Sequence, residues 1–213
     1  MNAKSSNGKN LRIIAGSARG RRLRYTTGRG IRPFTDRIRE SICTSVWNRF
    51  SPNRVLDLFA GSGIFGIEAL SRGASHCTLV EQNRDCVRLI RDNIGSAGFE
   101  DRCRVVRCRA EDFLRTPPDP ASGFDLISVD PPFGFGNIDS GEWMCRLLET
   151  LADTFLTDGG MIIYRAETGE EVFKRLPDLF PQARSRSFGR SCVTFIETSG
   201  NSDPGIPEGN NSL

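Results

Sequence analysis

Apolar positions along the chain follow two alternating rhythms. Short runs dense in Val, Ile, Leu and Phe read as buried strands: RVLDLF (54–59), CTLVE (77–81), RVVRC (104–108), FDLISVD (124–130) and GMIIYRAE (160–167). Between them the spacing widens to a helical period. IFGIEALSRG (64–73) follows the first strand, and Val87, Ile90 and Ile94 share one face behind Asn83 as N-cap. Trp143, Leu147 and Leu151 follow Asp139 and Glu142, spaced as a capping box. Ahead of the first strand, Thr35 caps a helix with Ile38, Ile42, Val46 and Phe50 on one side. This alternation predicts an α/β domain with a parallel sheet covered on both faces. Two extended runs, 183–189 and 192–197, flank Arg190-Ser191 and predict an antiparallel pair at the end of the sheet.

The composition fits that picture. Over 213 residues, 38% are hydrophobic and 26% charged, as expected of one globular domain with at most an appendage. The longest apolar run falls well short of ~18 residues and the opening decapeptide is polar, so neither a membrane span nor a secretory leader is expected. Seven cysteines without a C-x-x-C pair predict reduced core thiols in a cytoplasmic protein and no metal site. His76, the one histidine, is expected at the surface, so base chemistry does not rest on histidine.

Charge is distributed unevenly. Residues 1–39 carry eleven Lys or Arg against one acid, a balance of +10; the remainder carries eighteen bases against twenty-five acids, a balance of −7. A basic arm for a polyanion on an acidic body is the expected reading. Within LRIIAGSARGRRLRY (11–25), two apolar-rich runs around Gly16 to Gly20 predict a β-hairpin. Three segments result: a basic arm with its hairpin over 1–34, the α/β domain over 35–198, and a polar tail over 199–213 expected to be disordered.

Two motifs carry chemistry. DLFAGSGIFG (57–66) contains Gly61, Gly63 and Gly66 as G-x-G-x-x-G between a strand and a helix, a turn that lets a ligand approach the backbone. Glu81, twenty residues after Gly61, is placed to accept both hydroxyls of a ribose. A carboxylate at Asp57 would repel a pyrophosphate and suits an ammonium, which favours S-adenosylmethionine over NAD. The second motif, Asp130-Pro131-Pro132-Phe133, ends a strand with two prolines that fix φ and remove donors. It leaves a carboxylate, carbonyl acceptors and an aromatic ring, a set matched to a planar base with an exocyclic amine.

These motifs together resemble the class I methyltransferase fold with the (D/N)-P-P-(F/Y/W) signature of amino-group methylases. RIIAGSARGRRL (12–23), RPFTDRIRE (32–40), DLFAGSGIFGIEALSRG (57–73) and DPPF (130–133) further resemble the RsmD family of bacterial 16S rRNA guanine-N2 methyltransferases. The resemblance covers residues 11–198. It implies a Rossmann-like, seven-stranded, mostly parallel sheet with an antiparallel C-terminal strand and an N-terminal hairpin extension. It implies methyl transfer from S-adenosylmethionine to the N2 amine of a guanine in small-subunit rRNA, with the rRNA or a 30S assembly particle as partner; a monomer is expected. Asp57, Phe59, Gly61, Ser62 and Gly63 would then lie along the donor, with Glu81 on its ribose and Ala110 and Glu111 near its adenine. Asp130, beside the donor, would hold the target base with Pro131, Pro132 and Phe133. Arg12, Arg19, Arg21, Arg22, Arg24, Arg32 and Arg37 would contact RNA. The chain departs from related enzymes at Arg109, where they often place Asp or Asn, and at Phe34, where the family commonly has a small polar residue. Alternatives of the same chemistry are N6-adenine or N4-cytosine methylation of DNA; an NAD-dependent oxidoreductase is the alternative from another class.

Overall fold

A computed structural model describes residues 11–25, 36–116, 122–132 and 134–198. The expectations for Arg32, Phe34, Thr35, Phe133 and the tail from 199 lie outside these residues.

Seven strands form the main sheet: β3 (Arg54–Asp57), β4 (His76–Val80), β5 (Cys103–Val106), β6 (Phe124–Val129), β7 (Leu156–Glu167), β8 (Arg184–Phe188) and β9 (Ser191–Glu197). Their order is β5-β4-β3-β6-β7-β9-β8. The first five are parallel; β9 runs antiparallel to both β7 and β8. The Rossmann-like class I methyltransferase architecture implied by the motifs is thus present.

Consecutive strand residues serve opposite layers, as the pleat requires. Val55, Leu79 and Ile163 face helices α1 (Asp36–Trp47), α2 (Ile64–Ser71) and α3 (Arg84–Ala97). Leu56, Val80 and Ile162 face the layer that holds α5 (Glu142–Thr150) and α6 (Val172–Leu179), with the short helix α4 (Ala110–Leu114) at its edge. Asn83 caps α3, accepting from the Asp85 and Cys86 amides at 2.8 and 3.1 Å. The seven cysteines are free thiols, mostly buried in these layers, and His76 is exposed. Among the described residues no helix is long and apolar enough to cross a membrane.

One local expectation needs correction. Asp139 does not cap α5: a 3-10 turn over Phe135–Gly141 precedes the helix, and Gly141 in a left-handed conformation (φ 78°) is its N-cap. Helix α6 goes unread in the sequence because Pro177 lies inside it. Burial of Val172 and Leu176, one turn apart, holds it despite the lost donor.

The N-terminal hairpin pairs β1 (Leu11–Arg12) with β2 (Arg22–Leu23). It is docked rather than free, since Ile13, Ala18 and Leu23 are buried in the first layer. The fully buried carboxylate of Glu68 on α2 accepts the Ile14 and Ala15 amides at 2.8 and 3.1 Å. Arg72 and the buried Arg39 neutralise it at 2.8 and 3.6 Å. Gly16 (φ 83°) allows the closest approach: a Cβ there would stand 1.7 Å from the Ser71 carbonyl oxygen. The hairpin therefore presents its arginines from a fixed platform.

Candidate active site

The strand order reverses between β3 and β6, and ligands of such sheets bind outside the carboxyl ends at that crevice. Asp57 is the last residue of β3, and Asp130 follows β6 directly. A cleft of about 390 Å³ opens there, within the size range of small-molecule sites.

The glycine turn follows β3 as the sequence predicts. Gly63 (φ 76°) is the N-cap of α2 and packs beneath Leu79 and Ile90 rather than lining the cleft. Gly66 brings α2 onto β4; a Cβ there would meet Cys77 Sγ at 2.6 Å. Phe59, Gly61 and Ser62 line the cleft together with Glu81. The Glu81 carboxylate accepts the Gly61 amide at 2.9 Å through one oxygen and the Asn83 amide at 2.8 Å through the other. Each oxygen keeps a further lone pair open to another donor. Ala110 and Glu111 form the far wall, where Arg109 pairs with Glu111 at 3.3 Å.

Asp57 is buried and accepts from the Gly66 amide at 3.4 Å and the Ser128 hydroxyl, both neutral partners. Burial, reinforced by the negative charges of Asp130 and Glu81, pushes its carboxyl up from 3.8 to about 7. Asp130 is 20% exposed, and its two oxygens are gripped by Arg165 of β7 at 2.8 and 2.5 Å. Pro131 and Pro132 continue along the rim. Phe135 stands edge-on to Phe59, with centroids 6.1 Å apart, and forms an aromatic wall beside them.

Several lining residues escape sequence reasoning. Arg165 lies mid-strand, where an apolar residue is the usual expectation, and only the strand register reveals that it flanks Asp130. Leu11 and Tyr25 of the hairpin reach the cleft as well. Asn93 on α3 joins the two regions. Its Nδ2 donates to the carbonyls of Arg24 (2.8 Å) and Ser62 (2.9 Å), while its Oδ1 accepts the Arg24 amide (2.9 Å). The base of the hairpin and the glycine turn are thereby tied through one buried side chain.

Among the RNA candidates, Arg12, Arg19, Arg21, Arg22, Arg24 and Arg37 are all exposed. Arg12 pairs with Asp36 at 3.1 Å, and Arg21 donates to the Ser96 carbonyl at 2.8 Å. The hairpin brings five of them together, and Arg37 lies on adjoining α1.

Residues 11–197 match the family model described as Conserved hypothetical protein 95. YlbH of Bacillus subtilis is 33% identical over 192 residues, covering 89% of this chain and all of its own length. Ribosomal RNA small subunit methyltransferase D of Escherichia coli is 35% identical over 157 residues, 74% of this chain and 75% of its own. The solved structure of yhhF from Escherichia coli superposes with a TM-score of 0.71 at 28% identity, covering 90% of this chain and 99% of the other. Sequence motifs, sheet order and overall similarity agree: this chain has the class I methyltransferase fold and belongs to the RsmD family.

Proposed function

We propose that the protein transfers a methyl group from S-adenosylmethionine to the exocyclic N2 amine of a guanine in small-subunit ribosomal RNA. The observation that carries this reading is the charge at the crevice. Four carboxylates, Asp57, Glu81, Glu111 and Asp130, line one cleft against two arginines, the exposed Arg109 paired with Glu111 and the buried Arg165 paired with Asp130. That balance suits a ligand bearing an ammonium and a sulfonium, and opposes a pyrophosphate. Asp57, buried between neutral partners, fits the ammonium; Glu81 fits the ribose. When bound, the cofactor supplies an electrophilic methyl carbon whose bonding pair leaves with sulfur.

The chain's own residues prepare the other reactant. The amine of a nucleobase is a weak nucleophile because its lone pair is delocalised into the ring. Hydrogen bonds from its two protons to the Asp130 carboxylate and the Pro131 carbonyl would fix the nitrogen and turn the lone pair toward the donor. Positioning of this kind supplies up to ~7–11 kcal/mol of a barrier. The proton released as nitrogen becomes methylated is strongly acidic, so a carboxylate held by an arginine is base enough. Phe133 would stack on the base.

The substrate class is supported by the relative named ribosomal RNA small subunit methyltransferase D and by the exposed arginines of the docked hairpin. The guanine N2 atom is supported by the family resemblance in the sequence. Unstacking a base costs a few kcal/mol, which phosphate contacts offset. Replacing Arg19, Arg21 and Arg22 together is expected to weaken RNA binding and flatten log K against log salt by about 2. An unchanged slope, measured by filter binding, would remove the hairpin from the interface. The function itself is tested by incubating the protein with tritiated donor and unmodified small subunits or naked rRNA. Label entering the RNA supports the reading, and its absence from both substrates opposes it.

A further inference from the structure

The C-terminal part of β7 and the turn into α6 make a second set of contacts with the target-base loop. Arg165 grips both oxygens of Asp130 through Nε (2.8 Å) and Nη2 (2.5 Å), and its own side chain is 2% exposed. A planar guanidinium that binds a carboxylate with two nitrogens fixes both its position and its plane. Five residues further on, the buried carboxylate of Glu170 accepts the Gly136 amide at 2.7 Å through Oε2. Its Oε1 accepts the Glu167 amide at 3.0 Å and the Gly134 amide at 3.4 Å. Asn137 adds a third tie by accepting the Glu171 amide at 2.8 Å. Between the Arg165 contact at Asp130 and the Glu170 contacts at Gly134 and Gly136 lie Pro131 and Pro132, which offer no amide hydrogen by which they could be held.

We propose that Arg165 and Glu170 are positioning residues that clamp the two ends of the Asp130–Gly136 loop, so that the acceptors for the target amine are held in place before substrate arrives. This rests on the reading of that loop as the target-base site. Arg165 lines the cleft and pairs with Asp130, whereas Glu170 holds the Gly134 and Gly136 amides and is not among the residues lining the cleft. The division makes the clamp separable from binding. Loss of either anchor lowers the population of aligned loop and therefore the rate of transfer, while the cofactor wall formed by Asp57, the glycine turn and Glu81 stays intact.

The test uses Arg165→Lys and Glu170→Gln in the full chain. Lysine keeps the charge but loses the two-point grip. Glutamine keeps the size but turns a donor toward amides that need an acceptor. In each variant kcat is expected to fall about 10–100-fold, the scale of a misplacement near 1 Å. KM for RNA and the affinity for S-adenosylhomocysteine, measured by calorimetry, are expected to stay within about threefold of wild type. Hydrogen exchange on the ligand-free protein supplies a readout independent of turnover. Glu170→Gln is expected to speed exchange in peptides spanning 134–137 by about tenfold or more, with the β3 and β4 peptides unchanged. Unchanged loop exchange, unchanged kcat, or a parallel loss of kcat, ligand affinity and melting temperature would each overturn the clamp. A wild-type protein that transfers no methyl to RNA, but whose loop exchanges as described, would overturn the proposed function and leave the clamp standing.

Discussion

Asp130→Ala is expected to lower single-turnover methyl transfer by about 10³-fold or more, while S-adenosylhomocysteine still binds within roughly tenfold of wild type. Asp130 holds one of the two protons of the attacking amine in this account, and the alanine variant leaves the Pro131 carbonyl to orient the base alone. The ligand remains bound because Asp57, the glycine turn and Glu81 are untouched. The substitution also strips Arg165 of its carboxylate at a site where the guanidinium is 2% exposed. Removing one partner of such a pair costs about 3–5 kcal/mol, so the alanine variant should unfold at distinctly lower urea. Asp130→Asn retains one acceptor oxygen and much of the packing, and is expected to be the milder change on both counts. Single-turnover rates at saturating donor check this; an Asp130→Ala rate within tenfold of wild type would remove Asp130 from the chemistry.

Asp57→Asn is expected to act in opposite directions on stability and binding. With its carboxyl near 7 in the folded protein against an ordinary 3.8, Asp57 binds one more proton folded than unfolded between those values. Stability therefore falls as pH rises through that window, and the full cost of the buried charge is present above about 7. Asparagine carries no such charge, so the ligand-free variant should gain on the order of 2–4 kcal/mol at pH 8, read from urea unfolding. Cofactor affinity should nevertheless drop about 100-fold, since the ammonium loses its counter-charge. A third consequence follows from the same titration. Below about pH 7, a cationic ligand that favours the charged form of Asp57 releases a proton on binding. The calorimetric heat near pH 6, where the ligand's amine is fully protonated, should then depend on the ionisation enthalpy of the buffer, whereas in Asp57→Asn at the same pH this dependence should fade. Heats independent of buffer near pH 6 in the wild-type protein would separate the ligand ammonium from Asp57.

Much of the architecture was legible because single residues there have few substitutes. The glycine turn, the strand-ending Asp130-Pro131-Pro132 and the acid after β4 each mark the carboxyl edge of a strand, and the structure brings them to one crevice. Asn83 as a cap and the antiparallel pair β8 and β9 were likewise carried by local chemistry. What the sequence hid depends on register and on distant partners. Arg165 looks like an interruption in an apolar strand until β6 and β7 align Val129 with Tyr164, which sets Arg165 beside Asp130. Glu170 and Asn93 serve backbone groups more than thirty residues away, and no periodicity records such contacts. Asp139 illustrates the converse. It has the spacing of a capping box, yet the 3-10 turn and left-handed Gly141 satisfy the entry to α5 in another way.

The docked hairpin changes how the basic segment is understood. A charge balance describes an arm, but the buried Ile13 and Leu23 and the Glu68 network make it part of the domain. Asn93 then connects the base of that hairpin with the Ser62 carbonyl, so the arginine-bearing hairpin and the glycine turn at the cleft share one buried support.

Nucleoside analysis of RNA labelled by the purified protein examines the core of the account, because the amine presented at Asp130 and Pro131 must appear as a defined product. N2-methylguanosine in small-subunit rRNA is the expected result; label in N6-methyladenosine or N4-methylcytosine, or none in guanosine, would contradict it.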